Sequence, residues 1–263
     1  MGYNGNPRNH EPSLKFEKIT NLELFRTVCL PSYLMDICTS FPSLETLSIV
    51  HRLQEVTPDD ALDLVGSRFL SDELSRLKHL RTLRLGLFYN FAISEILGPT
   101  GTLSWISLPE LQTLEVPIGF FVETKPEGED KALCPTWVLP NSLRSLTLWV
   151  DMRCRNHRAE NMVLDAFYKH NAMVLDFLEA LCRKSPTYFP HIRQVGFRKG
   201  VKEAMDCVDD PDNYSPLSEY IFYPDVNNHV HHAACEARLE KLRDSFNRVG
   251  VRFYEVPRRD AWF

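Results

Sequence analysis

The chain has 263 residues, 44% hydrophobic and 25% charged, with a formal net charge of −5. These are values of a globular protein, and the mildly acidic balance argues against the clustered basic surface on which nucleic-acid binding depends. The length exceeds the usual single-domain size but suits one elongated repeat domain.

The opening "MGYNGNPRNHEPSLKFEK", residues 1–18, is polar, lacks the apolar segment of a secretory signal and reads as a disordered N-terminal segment. It begins Met-Gly, yet Asn6 stands where a myristoylation motif takes Ser or Thr. No apolar, uncharged stretch reaches the about 18 residues of a membrane span. The nearest, Gly86 to Pro109, carries Glu95, Gly98, Pro99 and Gly101, so no membrane partner is expected. Seven cysteines (29, 38, 134, 154, 182, 207 and 235) are widely spread, with no Cys-x-x-Cys pair. They read as small buried hydrophobes in a reducing compartment, cytoplasmic or nuclear. The glycosylation match Asn213-Tyr214-Ser215 is read as chance.

Along the chain one skeleton returns, apolar-x-x-apolar-x-apolar. Its six occurrences are Ile19-x-x-Leu22-x-Leu24, Leu44-x-x-Leu47-x-Ile49, Leu80-x-x-Leu83-x-Leu85, Leu111-x-x-Leu114-x-Val116, Leu143-x-x-Leu146-x-Leu148 and Ile192-x-x-Val195-x-Phe197. First positions are separated by 25, 36, 31, 32 and 49 residues, mostly longer than a regular leucine-rich repeat and without its closing Asn or Cys. Pro42, Pro109, Pro140 and Pro190 stand shortly before the anchors, where proline favours extended backbone leading into a strand. The period of two that follows predicts half-buried strands.

Between the strands the period becomes helical. "CLPSYLMDICTSF" reads as an inter-strand helix, and "TPDDALDLVGSRFLSDELSRL" opens with Thr57 as N-cap, Pro58 at N1 and two acids in the first turn. "AENMVLDAFYKHNAMVLDFLEALCRK" predicts a long helix over 159–184 ending on Arg183 and Lys184. "HHAACEARLEKLRDSFNRVG" predicts another, stopped by Gly250, and "VRFYEV" a last strand. Strands alternating with helices predict a parallel sheet. The expected fold is α/β, an irregular leucine-rich-repeat solenoid over 19–256, its curved parallel sheet backed by helices and loops on the convex side, with a tail at 257–263.

The succession "FPSLETLSI", "LKHLRTLRLGL", "LPELQTLEV", "LPNSLRSLTLWV" and "LRDSFNRVGVRFYEV" resembles leucine-rich-repeat proteins, and more narrowly the irregular repeat regions of fungal F-box-like proteins. That resemblance implies substrate reception for a ubiquitin ligase, with an F-box holding the adaptor and the repeats holding the target. "CLPSYLMDICTSF" echoes the opening Leu-Pro of an F-box but runs straight into the second repeat, so the resemblance is to the repeat region alone.

Residues alternating with the buried leucines are expected on the concave face. The outward columns read Asn21, Thr46, Thr82, Thr113, Ser145, Gln194; then Glu23, Ser48, Arg84, Glu115, Thr147, Gly196; then Phe25, Val50, Gly86, Pro117, Trp149, Arg198. Thr82, Arg84, Thr113, Glu115, Thr147 and Trp149 are the candidate partner-binding residues, Arg84 and Trp149 being of the types that anchor interfaces. The insertion at about 203–228 holds seven carboxylates from Glu203 to Asp225 and no Lys or Arg. It reads as a solvated loop, with a docking loop for a basic partner or a lid over the face as the functional alternatives; its "DDPDN" departs from a calcium loop.

On a helix, His231 and Cys235 lie four apart and His229 and His232 three apart, the start of a zinc site that lacks further converging ligands. No nucleophile elbow, phosphate-cradling glycine loop, His-Glu-x-x-His or kinase set occurs. The expected protein is therefore non-enzymatic and without cofactor or metal, a monomer that binds a protein partner of unknown identity, with a ubiquitin-ligase adaptor as a second candidate partner. The alternatives are a hydrolase-like enzyme with a site between the 159–184 helix and the acidic loop, and a zinc-stabilised binding module.

Overall fold

Two apolar residues spaced two apart send both side chains to one side of an extended strand, leaving the residues between them on the other. The computed structural model describes residues 15–25, 31–52, 74–88, 105–123, 131–149, 160–198 and 226–256. In chain order these form β1 (Asn21–Phe25), α1 (Pro31–Ser40), β2 (Thr46–Arg52), β3 (Thr82–Phe88), β4 (Thr113–Pro117), the short β5 (Val122–Glu123) and β6 (Lys131–Ala132), α2 (Pro135–Val138), β7 (Ser145–Trp149), α3 (Glu160–Tyr188), β8 (Gln194–Arg198), α4 (Val226–Arg248) and β9 (Arg252–Glu255). Turns of 3-10 helix at Trp105–Ser107 and Ile118–Phe121 flank β4.

Seven strands make one parallel sheet in the order β1-β2-β3-β4-β7-β8-β9, and β5 and β6 form a separate antiparallel pair. The register joins Leu22 to Leu47, Leu47 to Leu83, Leu83 to Leu114, Leu114 to Leu146, Leu146 to Val195 and Val195 to Phe253. All six skeletons therefore fall on one row. Phe253 extends that row to a seventh strand, whose unit departs from the skeleton with Gly250 at its first position and Glu255 at its third.

The anchor residues behave alike. Leu44, Leu80, Leu111, Leu143 and Ile192 each donate their N–H to the carbonyl three residues back, at 3.1–3.3 Å. Pro42, Pro109 and Pro190 occupy the second position of those turns, where a ring-fixed φ near −65° is favoured. The proline signal read from sequence as extended lead-in is thus a turn that closes onto the buried anchor.

Behind the row lies one continuous core. Leu44, Leu47, Leu83, Leu111, Leu114, Leu143, Leu146 and Val195 are fully buried, joined by Val174, Phe177, Leu178 and Leu181 of α3 and by Leu239, Leu242 and Phe246 of α4. Phe121 stacks on Phe177 at 4.8 Å, and Phe246 on Phe253 at 5.4 Å. Cys38 and Cys182 are buried in this core, and burial pushes the Cys182 thiol up from its ordinary value. Phe16 stacks on Phe41 at 5.0 Å and its N–H bonds the Ser40 carbonyl, so ordered contacts begin within the segment read as polar lead-in. Residues 1–14 lie outside the described part.

Two helix ends have a local cause. After α4, the Gly250 N–H bonds the Asn247 carbonyl and the Val251 N–H the Phe246 carbonyl, a Schellman closure. Gly250 has φ 74°, the left-handed region that a residue without Cβ enters readily. The α3 helix runs past the expected stop at Lys184 to Tyr188, with Pro186 inside it. Proline removes the N–H that the Cys182 carbonyl expects, and the buried Ser185 hydroxyl donates to that carbonyl at 3.0 Å instead. The helix predicted after Thr57 lies largely outside the described residues. Among the described residues no helix is long and apolar enough to cross a membrane.

Candidate functional site

Among the described residues, the sheet face opposite the leucines contributes no hydrophobic side chain to the core. Its first column, Asn21, Thr46, Thr82, Thr113, Ser145, Gln194 and Arg252, runs in register across all seven strands. Thr82 and Thr113 are directly paired and half-buried, and the Gln194 side-chain amide donates to Ser145 Oγ at 2.9 Å. β-branched threonines suit such a ladder, since their stiff side chains pack well across strands.

The second column carries the charge. Arg84 on β3 faces Glu115 on β4, with Nε 3.2 Å from Oε1. Burial pushes the Glu115 carboxyl above its ordinary value, and the Arg84 guanidinium partly offsets the rise. The two candidate residues are therefore brought together as an ion pair.

Farther along the column Thr147 is only 7% exposed. Tyr254 of β9 lies across Gly196 of β8, its hydroxyl 3.4 Å from Thr147 Oγ1. The close approach requires glycine: a Cβ at position 196 falls 2.8 Å from Tyr254 Cζ and 3.0 Å from Thr147 Oγ1. Arg252 stacks over the same tyrosine ring, 5.7 Å from its centroid. Tyr254 and Arg252 are the face residues that sequence reasoning missed. The signal was the period of two in "VRFYEV", hidden because the unit has Gly250 and Glu255 at its first and third skeleton positions.

Trp149 ends β7, opposite Pro117 and Arg198, and its side chain lies outside the described part. The acidic segment Glu203 to Asp225 also lies outside it, and with it one wall of the cleft considered for an enzyme. His229, His231, His232 and Cys235 fall on α4 as predicted, but their side chains are not among those described. Among the described residues no group of three His, Cys, Asp or Glu is placed to hold a metal ion.

No protein-family model matches the chain, and neither a curated protein nor a solved structure matches it.

Proposed function

We propose that the chain is an irregular leucine-rich-repeat solenoid, without catalytic activity of its own, whose open sheet face binds another protein. The observation that carries this reading is the seven-strand register, which buries one row of apolar residues and sets Thr82, Arg84, Thr113 and Glu115 side by side on the other face, with Tyr254 of β9 reaching back toward them as far as Thr147. A polar face with a central ion pair and a neighbouring aromatic residue matches the make-up of non-obligate interfaces, where arginine and tyrosine supply anchors within a polar surround.

Substrate reception for a ubiquitin ligase is the setting that the fungal F-box-like resemblance implies, and we take it as the first biological context to test. A photo-crosslinking side chain placed at Thr82 or Thr113 captures the partner directly. The reading expects one adduct from both positions and none from a crosslinker at Arg183, on the exposed surface of α3. A ubiquitin-ligase adaptor in the same purification supports the specific setting. Equal capture from all three positions overturns the face assignment.

A further inference from the structure

The edge at which the strands begin is a second polar surface, distinct from the open face. Glu45, Arg81, Gln112, Arg144 and Arg193 precede successive strands, and each donates its backbone N–H to the carbonyl of the one before at 2.8 Å, Glu45 to that of Thr20. Neighbouring positions in this row are therefore one strand spacing apart, about 4.8 Å.

Charge along the row is uneven. At one end it is matched: Arg81 lies 3.4 Å from Glu45 Oε2 and 3.5 Å from Glu110 Oε2, and His79 Nδ1 lies 3.6 Å from Glu110 Oε1. At the other end Arg144 is exposed and makes no ion pair among the described residues. Next to it Arg193 turns its guanidinium back onto the Pro190 and Ile192 carbonyls, at 3.0 and 3.1 Å. No Asp or Glu occurs in residues 139–145 or 189–195, although the whole chain carries a net charge of −5. Like charges on adjacent strands are unfavourable, so this pair of arginines is a local excess of positive charge that no ion pair offsets among the described residues.

Between the two ends lies an open notch of about 390 Å³, lined by Arg81, Glu110, Gln112, Ser142, Arg144 and His191. We propose that this notch receives the carboxylates of an acidic peptide segment of a partner protein. Arg144 supplies the bidentate guanidinium contact, and the Gln112 amide and His191 ring supply further hydrogen bonds beside it. A singly charged carboxylate matches the one guanidinium of the wall, Arg144, that makes no ion pair among the described residues, whereas a doubly charged phosphate leaves excess negative charge beside Glu110. The site is independent of the open face and does not rest on the function proposed above.

The test is fluorescence anisotropy of the full chain with a labelled poly-glutamate peptide, at about 50 mM salt, where screening is modest. Saturable binding is expected, with none for a poly-glutamine peptide of equal length. Arg144→Glu is expected to weaken binding at least about tenfold and Arg144→Gln about threefold or more, while Lys241→Glu, on the exposed side of α4, changes it less than about twofold. Thermal melts of the variants confirm that each is folded. Absence of saturable binding overturns the proposal, as does an equal loss from Lys241→Glu, which reduces the effect to general attraction. Binding of a phosphoserine peptide about tenfold tighter than the glutamate peptide overturns the choice of carboxylate.

Discussion

Ser185 is predicted to stabilise the fold only because Pro186 follows it. Ser185 is 2% exposed and its hydroxyl donates to the Cys182 carbonyl at 3.0 Å, the acceptor that an N–H at position 186 serves in an unbroken helix. Ser185→Ala leaves that carbonyl without a donor in the buried Cys182 region, at a cost of about 1–3 kcal/mol. Pro186→Ala restores the backbone donor and relieves the ring's contact with the preceding turn. In the Pro186→Ala background, Ser185→Ala is then expected to cost less than about 0.5 kcal/mol, a coupling of at least about 0.5 kcal/mol between adjacent residues. Urea melts of the four proteins, with a common m-value, measure the cycle. Equal cost of Ser185→Ala in both backgrounds refutes the reasoning and makes the hydroxyl an ordinary helix side-chain bond.

Leu83→Ala and Leu114→Ala, both at 0% exposed positions, are expected to lower stability by about 2–5 kcal/mol each, whereas Thr113→Ala on the opposite face changes it by less than about 1 kcal/mol; urea melts showing the reverse order would mean a strand register shifted by one residue. Gly196→Ala is expected to displace the Tyr254 ring and break its contact with Thr147, at about 1–2 kcal/mol, read by denaturation together with a rise in tyrosine exposure. Carbon-detected NMR titration is expected to place the Glu115 carboxyl above ordinary glutamates, and Arg84→Ala to move it higher still by removing the attraction that holds it down. Because its folded value is raised, the charged form of Glu115 opposes folding, and that opposition fades as pH falls through the raised value. A titration below the ordinary range contradicts this.

The row of leucines was legible in the sequence because strand period and burial leave the same mark: Leu47, Leu83, Leu114 and Leu146 are all fully buried and all in register. The face columns followed from the same alternation, so Thr82 was placed opposite Thr113 and Arg84 opposite Glu115 without coordinates. What escaped depended on side chains meeting at long range. Tyr254 reaches Thr147 across 107 positions in the chain, through a space that exists only because residue 196 has no Cβ. The extension of α3 escaped because proline at position 186 reads as a stop, and only the buried Ser185 hydroxyl explains its tolerance. The β5–β6 pair, two residues in each strand, is too short to leave a periodic trace.

The binding face is tested most directly by placing two arginines on it. Thr82→Arg/Thr113→Arg adds bulk and charge to adjacent strands at the centre of the ladder, while Arg183→Glu/Lys184→Glu changes exposed charge on α3. Quantitative affinity of each folded variant for the crosslinked partner, once purified, is the measurement. The account predicts a loss of at least about a hundredfold for the first pair and less than about threefold for the second. Undiminished binding by the arginine pair, or an equal loss from the α3 pair, contradicts a partner seated on this face.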